Sequence, residues 1–156
     1  MALDSRAIDR MKKTTVPLEL INLHDDGFHL LVEVVIFGKK FKAVLDTGAS
    51  KTVLDKTIVQ QHITADELLQ SEKLSTGLGT SSMESHTAIL PKFKIGRLVL
   101  ENFEAAVLDL STISTAYESL NLPPVIGVLG GDILYNHRAV INYEKLLLKL
   151  LPSEQP

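Results

Sequence analysis

The sequence predicts a mainly β, single-domain fold with one or more short helices, and three observations carry that expectation. Short runs rich in Val, Leu, Ile and Phe recur along the 156-residue chain, each closed by Gly, Asp, Asn or Pro. Helical spacing is confined to brief stretches between those runs. A chain of this length buries roughly 70% of its unfolded surface in one core, so it needs no disulfide staple. Residues 14–152 are expected to form the domain. Residues 1–13 are expected to be a disordered tail. They carry Arg6, Arg10, Lys12 and Lys13, but Thr14, Thr15, Pro17 and Glu19 interrupt any apolar stretch after them, so they do not read as a signal peptide.

Taken in order, residues 16–23 are apolar and end at the turn formers Asp25, Asp26 and Gly27, which reads as a first strand. Residues 29–37 are dense in Val, Leu and Ile. Gly38-Lys39 is a turn signal, and residues 41–45 complete a hairpin that ends on Asp46. Thr52, Val53 and Leu54 form a short strand, after which Asp55 is placed to cap a helix running to about His62. Residues 66–69 read as a helical turn. Residues 75–90, rich in Ser, Thr and Gly, suit an exposed hairpin.

Residues 92–95, 98–100 and 103–110 read as short strands separated by turns, and Ser111 as the N-cap of a helix that Pro123-Pro124 stops. Residues 125–129 are a buried strand, Gly130-Gly131 a tight turn, and residues 132–137 a short helix that Asp132 caps. Residues 139–143 and 146–151 close the chain as a hairpin around Glu144-Lys145. A helix over 146–151 is the alternative, because periodicity cannot decide so short a run.

Composition narrows the function. Hydrophobic residues at 45% and charged residues at 22% are ordinary for a soluble globular protein. A net charge of -3 gives a nucleic-acid partner no electrostatic support, and no apolar run is long enough to span a membrane. The absence of Cys removes thiolate chemistry and cysteine-based zinc sites and fits a reducing, cytoplasmic setting. His24, His29, His62, His86 and His137 have no metal-like spacing, no serine sits in a Ser-His-Asp signature, and Gly130-Gly131 lacks the Lys-Ser/Thr of a phosphate loop. No metal or cofactor is expected.

The most informative stretch is Asp46-Thr47-Gly48-Ala49-Ser50, which follows the apolar run Ala43-Val44-Leu45. A strand end this apolar predicts a buried carboxylate, which is costly unless it is hydrogen-bonded. Thr47 can offer a hydroxyl, and Gly48 a closely approaching amide. By itself the triplet could be an ordinary strand-to-turn cap. Two further motifs follow it. One is Gly77-Leu78-Gly79, which alone could be any hairpin turn. The other is Val128-Leu129-Gly130-Gly131-Asp132-Ile133-Leu134.

Together, and in this order, the three segments resemble the retropepsins, the retroviral-type aspartic proteases. They are similar to that family's acid loop, flap tip and second glycine signature. The resemblance implies a closed retropepsin-like β-barrel and an aspartic endopeptidase acting on a peptide or protein substrate. It implies Asp46 as catalytic carboxylate, Thr47 tying two acid loops together, and Gly48 presenting backbone to substrate. It further implies that Leu78, between Gly77 and Gly79, touches substrate from the flap, and that Val128 and Leu129 line subsites. The chain holds one such loop where the chemistry needs two carboxylates, so a homodimer is expected, with residues 146–151 as the candidate interface strand. The alternative is a catalytically silent dimer of the same fold that binds peptides or proteins. Departures from the viral pattern make a bacterial or cellular member the nearer comparison. Gly131 stands where an arginine is common, Ser50 replaces an acid, and the segments between the motifs are longer.

Overall fold

The first strand shows how the chain divides its apolar residues between two cores. In β1 (Thr14–Asn22), Val16 and Leu18 face one side, and beyond them the phase shifts so that Ile21 is buried and Leu20 exposed. Val16 and Leu18 join the main core, whereas Ile21 and the following Leu23 join a second cluster with Leu31, Val44, Tyr117 and Val125. The computed structural model describes residues 13–24, 27–70, 85–122 and 124–152. The expectations for residues 1–12, and for Gly77, Leu78 and Gly79, lie outside the described residues.

β2 (Phe28–Ile36) and β3 (Lys39–Leu45) form the expected hairpin, with its turn at Phe37-Gly38, where both residues take positive φ (57° and 70°), rather than at Gly38-Lys39. Two left-handed residues match the twist of the flanking strands. β4 (Val53–Asp55) leads into α1 (Lys56–Val59), which is shorter than expected. Asp55 does not cap it. Its carboxylate accepts the Leu110 N–H at 2.9 Å instead, a long-range partner that local reading cannot see. A 3₁₀ turn (Ala65–Glu67) and β5 (Leu69–Gln70) follow.

β6 (His86–Ile95) and β7 (Leu98–Leu108) make one long hairpin where the sequence predicts several short strands. The expected break near Glu101 does not occur. Asn102 adopts φ 52° within the strand, yet Phe103 stays opposite Leu90 and Glu101 opposite Lys92, so the register survives. α2 (Ser111–Ser119) begins without a side-chain cap from Ser111, whose N–H is instead bound at 2.9 Å by Asp109. That bond holds the Asp109 carboxyl below its ordinary pKa. The helix stops before the prolines. Asn121 takes φ 57°, and the Asn121 and Leu122 N–H groups donate to the Glu118 and Tyr117 carbonyls, a left-handed C-terminal cap. β8 (Val125–Leu129), α3 (Gly131–Asn136), β9 (Val140–Asn142) and β10 (Leu147–Leu150) complete the chain, and residues 147–150 are strand, not helix.

Pairing of Val35 with Lys94 and Ile36 with Phe93 brings β2 against β6 and closes β6-β7-β4-β8-β3-β2 into a six-stranded barrel. The barrel is the retropepsin-like architecture. Leu30, Val32, Val34, Ile36, Phe93 and Ile126 fill its interior, while α2 covers its outside through Tyr117. From β1 the sheet runs on as β1-β10-β9, because residues 14–17 pair with β10 and residues 18–22 with β2. β10 is therefore flanked on both sides, with Leu148 and Leu150 fully buried. This corrects the expectation that residues 146–151 offer a free interface edge. Among the described residues, the strand with a neighbour on one side only at this end of the sheet is β9. No described helix is long and apolar enough to cross a membrane.

Candidate active site

The site arises because β8 is inserted between β3 and β4, two strands consecutive in the chain. β8 runs parallel to β3, with Leu45 opposite Leu129, and antiparallel to β4, with Val53 opposite Val128. The turn from β3 to β4 must therefore pass over the end of β8. That turn is Asp46 to Thr52, and the segment it crosses is Gly130-Gly131-Asp132. Its backbone is stitched down there. Asp46 N–H donates to the Leu129 carbonyl at 3.0 Å, Gly131 N–H to the Ala49 carbonyl at 2.7 Å, and Asp132 N–H to the Ser50 carbonyl at 3.1 Å. A Cβ at Gly130 would lie 2.6 Å from the Lys51 carbonyl carbon and oxygen, so the crossing closes only over glycine.

Within the turn, Gly48 N–H donates to Asp46 Oδ1 at 3.0 Å, and Ala49 N–H to the Asp46 carbonyl at 3.1 Å. The amide expected to serve the carboxylate does so. The predicted burial is not found, however: Asp46, Thr47, Gly48 and Ser50 are exposed in the single chain, with Ala49 half-buried. The reason is that β3 ends at Leu45 on the barrel rim, and the apolar environment of Val44 ends with it. Asp46 is thus open to solvent in the single chain.

Val128 and Leu129 sit beside Val44 and Leu45, but their side chains point into packed surroundings. Leu129 is fully buried in the barrel core, and Val128 packs against the cluster around Tyr117. What Leu129 contributes to the acid loop is its carbonyl.

Two residues hold the loop that sequence reasoning assigned no such part. Thr52 is buried. Its hydroxyl donates to Asp132 Oδ1 at 2.8 Å and accepts the Gly130 N–H at 3.1 Å, and its own N–H lies 3.0 Å from both Asp132 oxygens. Asp132 is structural, as expected, although Gly130 occupies the N-cap position and the carboxylate clamps Thr52 while also taking the Ile133 N–H at 2.9 Å. No spacing rule links the two positions. A buried hydroxyl in the short strand after the loop was the only available signal.

Beside Thr47 opens a groove of about 530 Å³ lined by Thr47, Gly131, Leu134, Tyr135, Arg138, Ala139 and Ile141. Among the described residues, no three His, Cys, Asp or Glu side chains gather closely enough to hold a metal ion.

A sequence model of the family described as "Aspartyl protease" matches residues 32–133, which is well over half of the chain and includes both the acid loop and the Gly130-Gly131 turn. The chain belongs to the aspartyl protease family. Solved structures agree on the fold of this aspartyl protease-family chain. A retropepsin-like aspartic protease from Rickettsia conorii superposes with TM-score 0.57 at 20% identity, over 89% of this chain and 90% of that one. The retroviral protease-like domain of Ddi1 from Leishmania major superposes with TM-score 0.54 at 14% identity, over 82% and 98% respectively. Among curated proteins, no sequence matches the chain. The family and the retropepsin-like fold therefore stand as the sequence motifs imply.

Proposed function

We propose that this chain is an aspartic endopeptidase whose active site forms between two identical subunits, each supplying one Asp46. The observation that carries the reading is the placement of Asp46. It stands exposed at the end of β3, oriented by the Gly48 N–H and by its own N–H bond to Leu129, where the family's two signature segments meet. A two-fold axis beside the loop brings two such carboxylates together. At about 3 Å apart like charges cannot both ionise, so the pair keeps one proton and titrates as a unit.

The chemistry follows from that shared proton. The ionised carboxylate removes a proton from a water held between the two, and the water oxygen attacks the scissile carbonyl carbon. The protonated partner donates to the carbonyl oxygen, which becomes a hydroxyl of the tetrahedral intermediate. The carboxyl that took the water proton then passes it to the leaving nitrogen while the other carboxylate takes back a hydroxyl proton from the intermediate, so that the carbonyl reforms, the carbon–nitrogen bond breaks and the pair again holds one proton. Gly48 exposes backbone to the peptide, and Thr47 ties the two loops across the axis. Nothing in this sequence of steps calls on a metal or cofactor.

The test is digestion of a peptide library by the purified chain from acidic to neutral pH. Statin-sensitive cleavage with a bell-shaped pH profile, lost in Asp46→Asn while circular dichroism is unchanged, is the expected result. Cleavage that persists in Asp46→Asn, or that responds to chelators or serine reagents and not to statins, overturns the aspartic mechanism.

A further inference from the structure

A peptide held for cleavage lays one side chain against the wall next to Asp46, and α2 supplies that wall. We infer that Tyr117 is a specificity-determining residue: its ring fills the apolar recess on the α2 side of the acid loop, so that the site takes a small side chain there and turns away an aromatic one. The inference rests on the endopeptidase reading and adds to it the size of side chain that the site selects.

Three observations lead to Tyr117. The first is the face on which the carboxylate stands. Side chains alternate along a strand, and in β3 Ala43 and Leu45 pack with the barrel interior while Val44 turns outward to the cluster that holds Tyr117. The Asp46 N–H bond to the Leu129 carbonyl carries the β3–β8 ladder one residue beyond Leu45, which sets Asp46 on the outward face with Val44. The second is level. The register that pairs Leu31 with Val44 sets His29 across from Asp46, and His29 Nδ1 lies 2.9 Å from the Tyr117 hydroxyl. Tyr117 is thus bonded to the residue one strand spacing, about 4.8 Å, away from Asp46. The third is the seating of α2. Tyr117, 1% exposed, is the one fully buried residue of that helix, and Val128 packs against the same cluster.

Anchoring the helix needs only an apolar side chain, and Leu or Phe would supply it. What Tyr117 adds is its position. An extended peptide advances about 3.4 Å per residue, so the side chain beside the scissile carbonyl falls over His29, Val44 and Val128, the surface that the Tyr117 ring already occupies. A methyl-sized side chain fits with the ring in place. An aromatic one needs the volume that the ring holds, and forcing it into a packed cluster strains both partners. Truncating the ring returns that volume, walled by Leu31, Val44 and Val125, to the substrate.

The test uses peptides that differ only in carrying Ala or Phe at the residue bearing the scissile carbonyl, and it reads the ratio of kcat/KM for Phe over Ala. The wild type should favour Ala by about tenfold or more. Tyr117→Ala and Tyr117→Leu should each raise the ratio by about tenfold or more, whereas Tyr117→Phe, which keeps the ring, should leave it within about twofold. A helix anchor with no part in selection lowers activity on both peptides alike, so the ratio separates the two roles. Circular dichroism establishes folding, and Tyr117→Leu decides if Tyr117→Ala fails to fold. A wild type that cleaves the Phe peptide as well as the Ala peptide, an unchanged ratio in the folded truncations, or an equal shift in Tyr117→Phe overturns the inference. Calorimetry of the same peptides on Asp46→Asn, with and without Tyr117→Leu, separates it from the hydrolytic reading. Size selection seen in binding, with no cleavage by the wild type, removes hydrolysis alone. Cleavage indifferent to Tyr117 removes the size filter alone, and neither cleavage nor binding removes both.

Discussion

Thr52 and Asp132 stand eighty residues apart in the chain and in direct contact in the fold, with the Thr52 hydroxyl donating to Asp132 Oδ1 at 2.8 Å and its N–H shared between both carboxylate oxygens at 3.0 Å. This contact joins the end of the acid loop to the start of α3. Asp132→Ala leaves the donors of buried Thr52 without an acceptor and is expected to cost about 2–3 kcal/mol. Asp132→Asn keeps one acceptor oxygen and should cost about 1 kcal/mol. Urea unfolding measures both. A loss for Asp132→Ala within about 0.5 kcal/mol, the range of ordinary surface changes, would show that the clamp does not hold the loop.

Gly127 tests the insertion of β8 between β3 and β4. A Cβ there would lie 1.9 Å from the Val53 carbonyl oxygen and 2.9 Å from the Leu54 Cα, both backbone atoms of β4. Gly127→Ala should therefore destabilise by about 2 kcal/mol or more, since neither strand can yield without breaking its ladder. Gly131→Ala is the contrast. Its Cβ would meet nothing nearer than 3.5 Å, and alanine favours the first helical turn, so folding stability should hold or rise by up to about 1 kcal/mol. Equal stability for the two variants would contradict the threaded arrangement.

Tyr117 links stability to alkaline pH. Burial raises its pKa above the ordinary 10.0, and its hydroxyl lies 2.9 Å from His29 Nδ1. The unfolded chain releases the phenolic proton first, so above that ordinary value the folded state holds more protons than the unfolded one. Its contribution is complete below about pH 10 and falls as pH rises through the elevated pKa. Tyr117→Phe should cost about 1 kcal/mol at neutral pH through the lost hydrogen bond and should flatten the decline above about pH 10. Parallel pH dependence in the two proteins, from urea midpoints, would remove Tyr117 as its source.

Subunit mixing tests the shared carboxylates. If each active site needs one Asp46 from each chain, a ninefold excess of Asp46→Ala protein should reduce wild-type activity to about a tenth once subunits have exchanged at random. Mass spectrometry of isotope-labelled wild type establishes the exchange. Activity that stays constant after exchange would show that one chain is sufficient.

Strand content, the β2–β3 hairpin, β8, the short α3 and the acid loop were legible in the sequence, because each depends on neighbours within a few residues. Val and Leu runs ending in Gly or Asn report local backbone preference, and Asp46-Thr47-Gly48 and Gly130-Gly131 report turns whose chemistry is self-contained. The caps assigned to Asp55 and Ser111 failed for the complementary reason. Asp55 binds Leu110 from a distant segment, and Ser111 is itself held by Asp109.

What the sequence by itself determined was the family, the mainly β class and the acid loop that begins at Asp46, all of which rest on residue identity and short spacing. Only the tertiary structure decided that Asp46 is exposed, that Leu129 serves through its carbonyl while its side chain fills the core, and that β10 lies inside the sheet with β9 at the edge. Both β9 and β10 are short and apolar, and nothing in their composition ranks one as edge. The order β1-β10-β9 is set by pairing β10 with residues 14–17, at the far end of the chain, and burial of Leu148 and Leu150 follows from that distant contact rather than from any local preference.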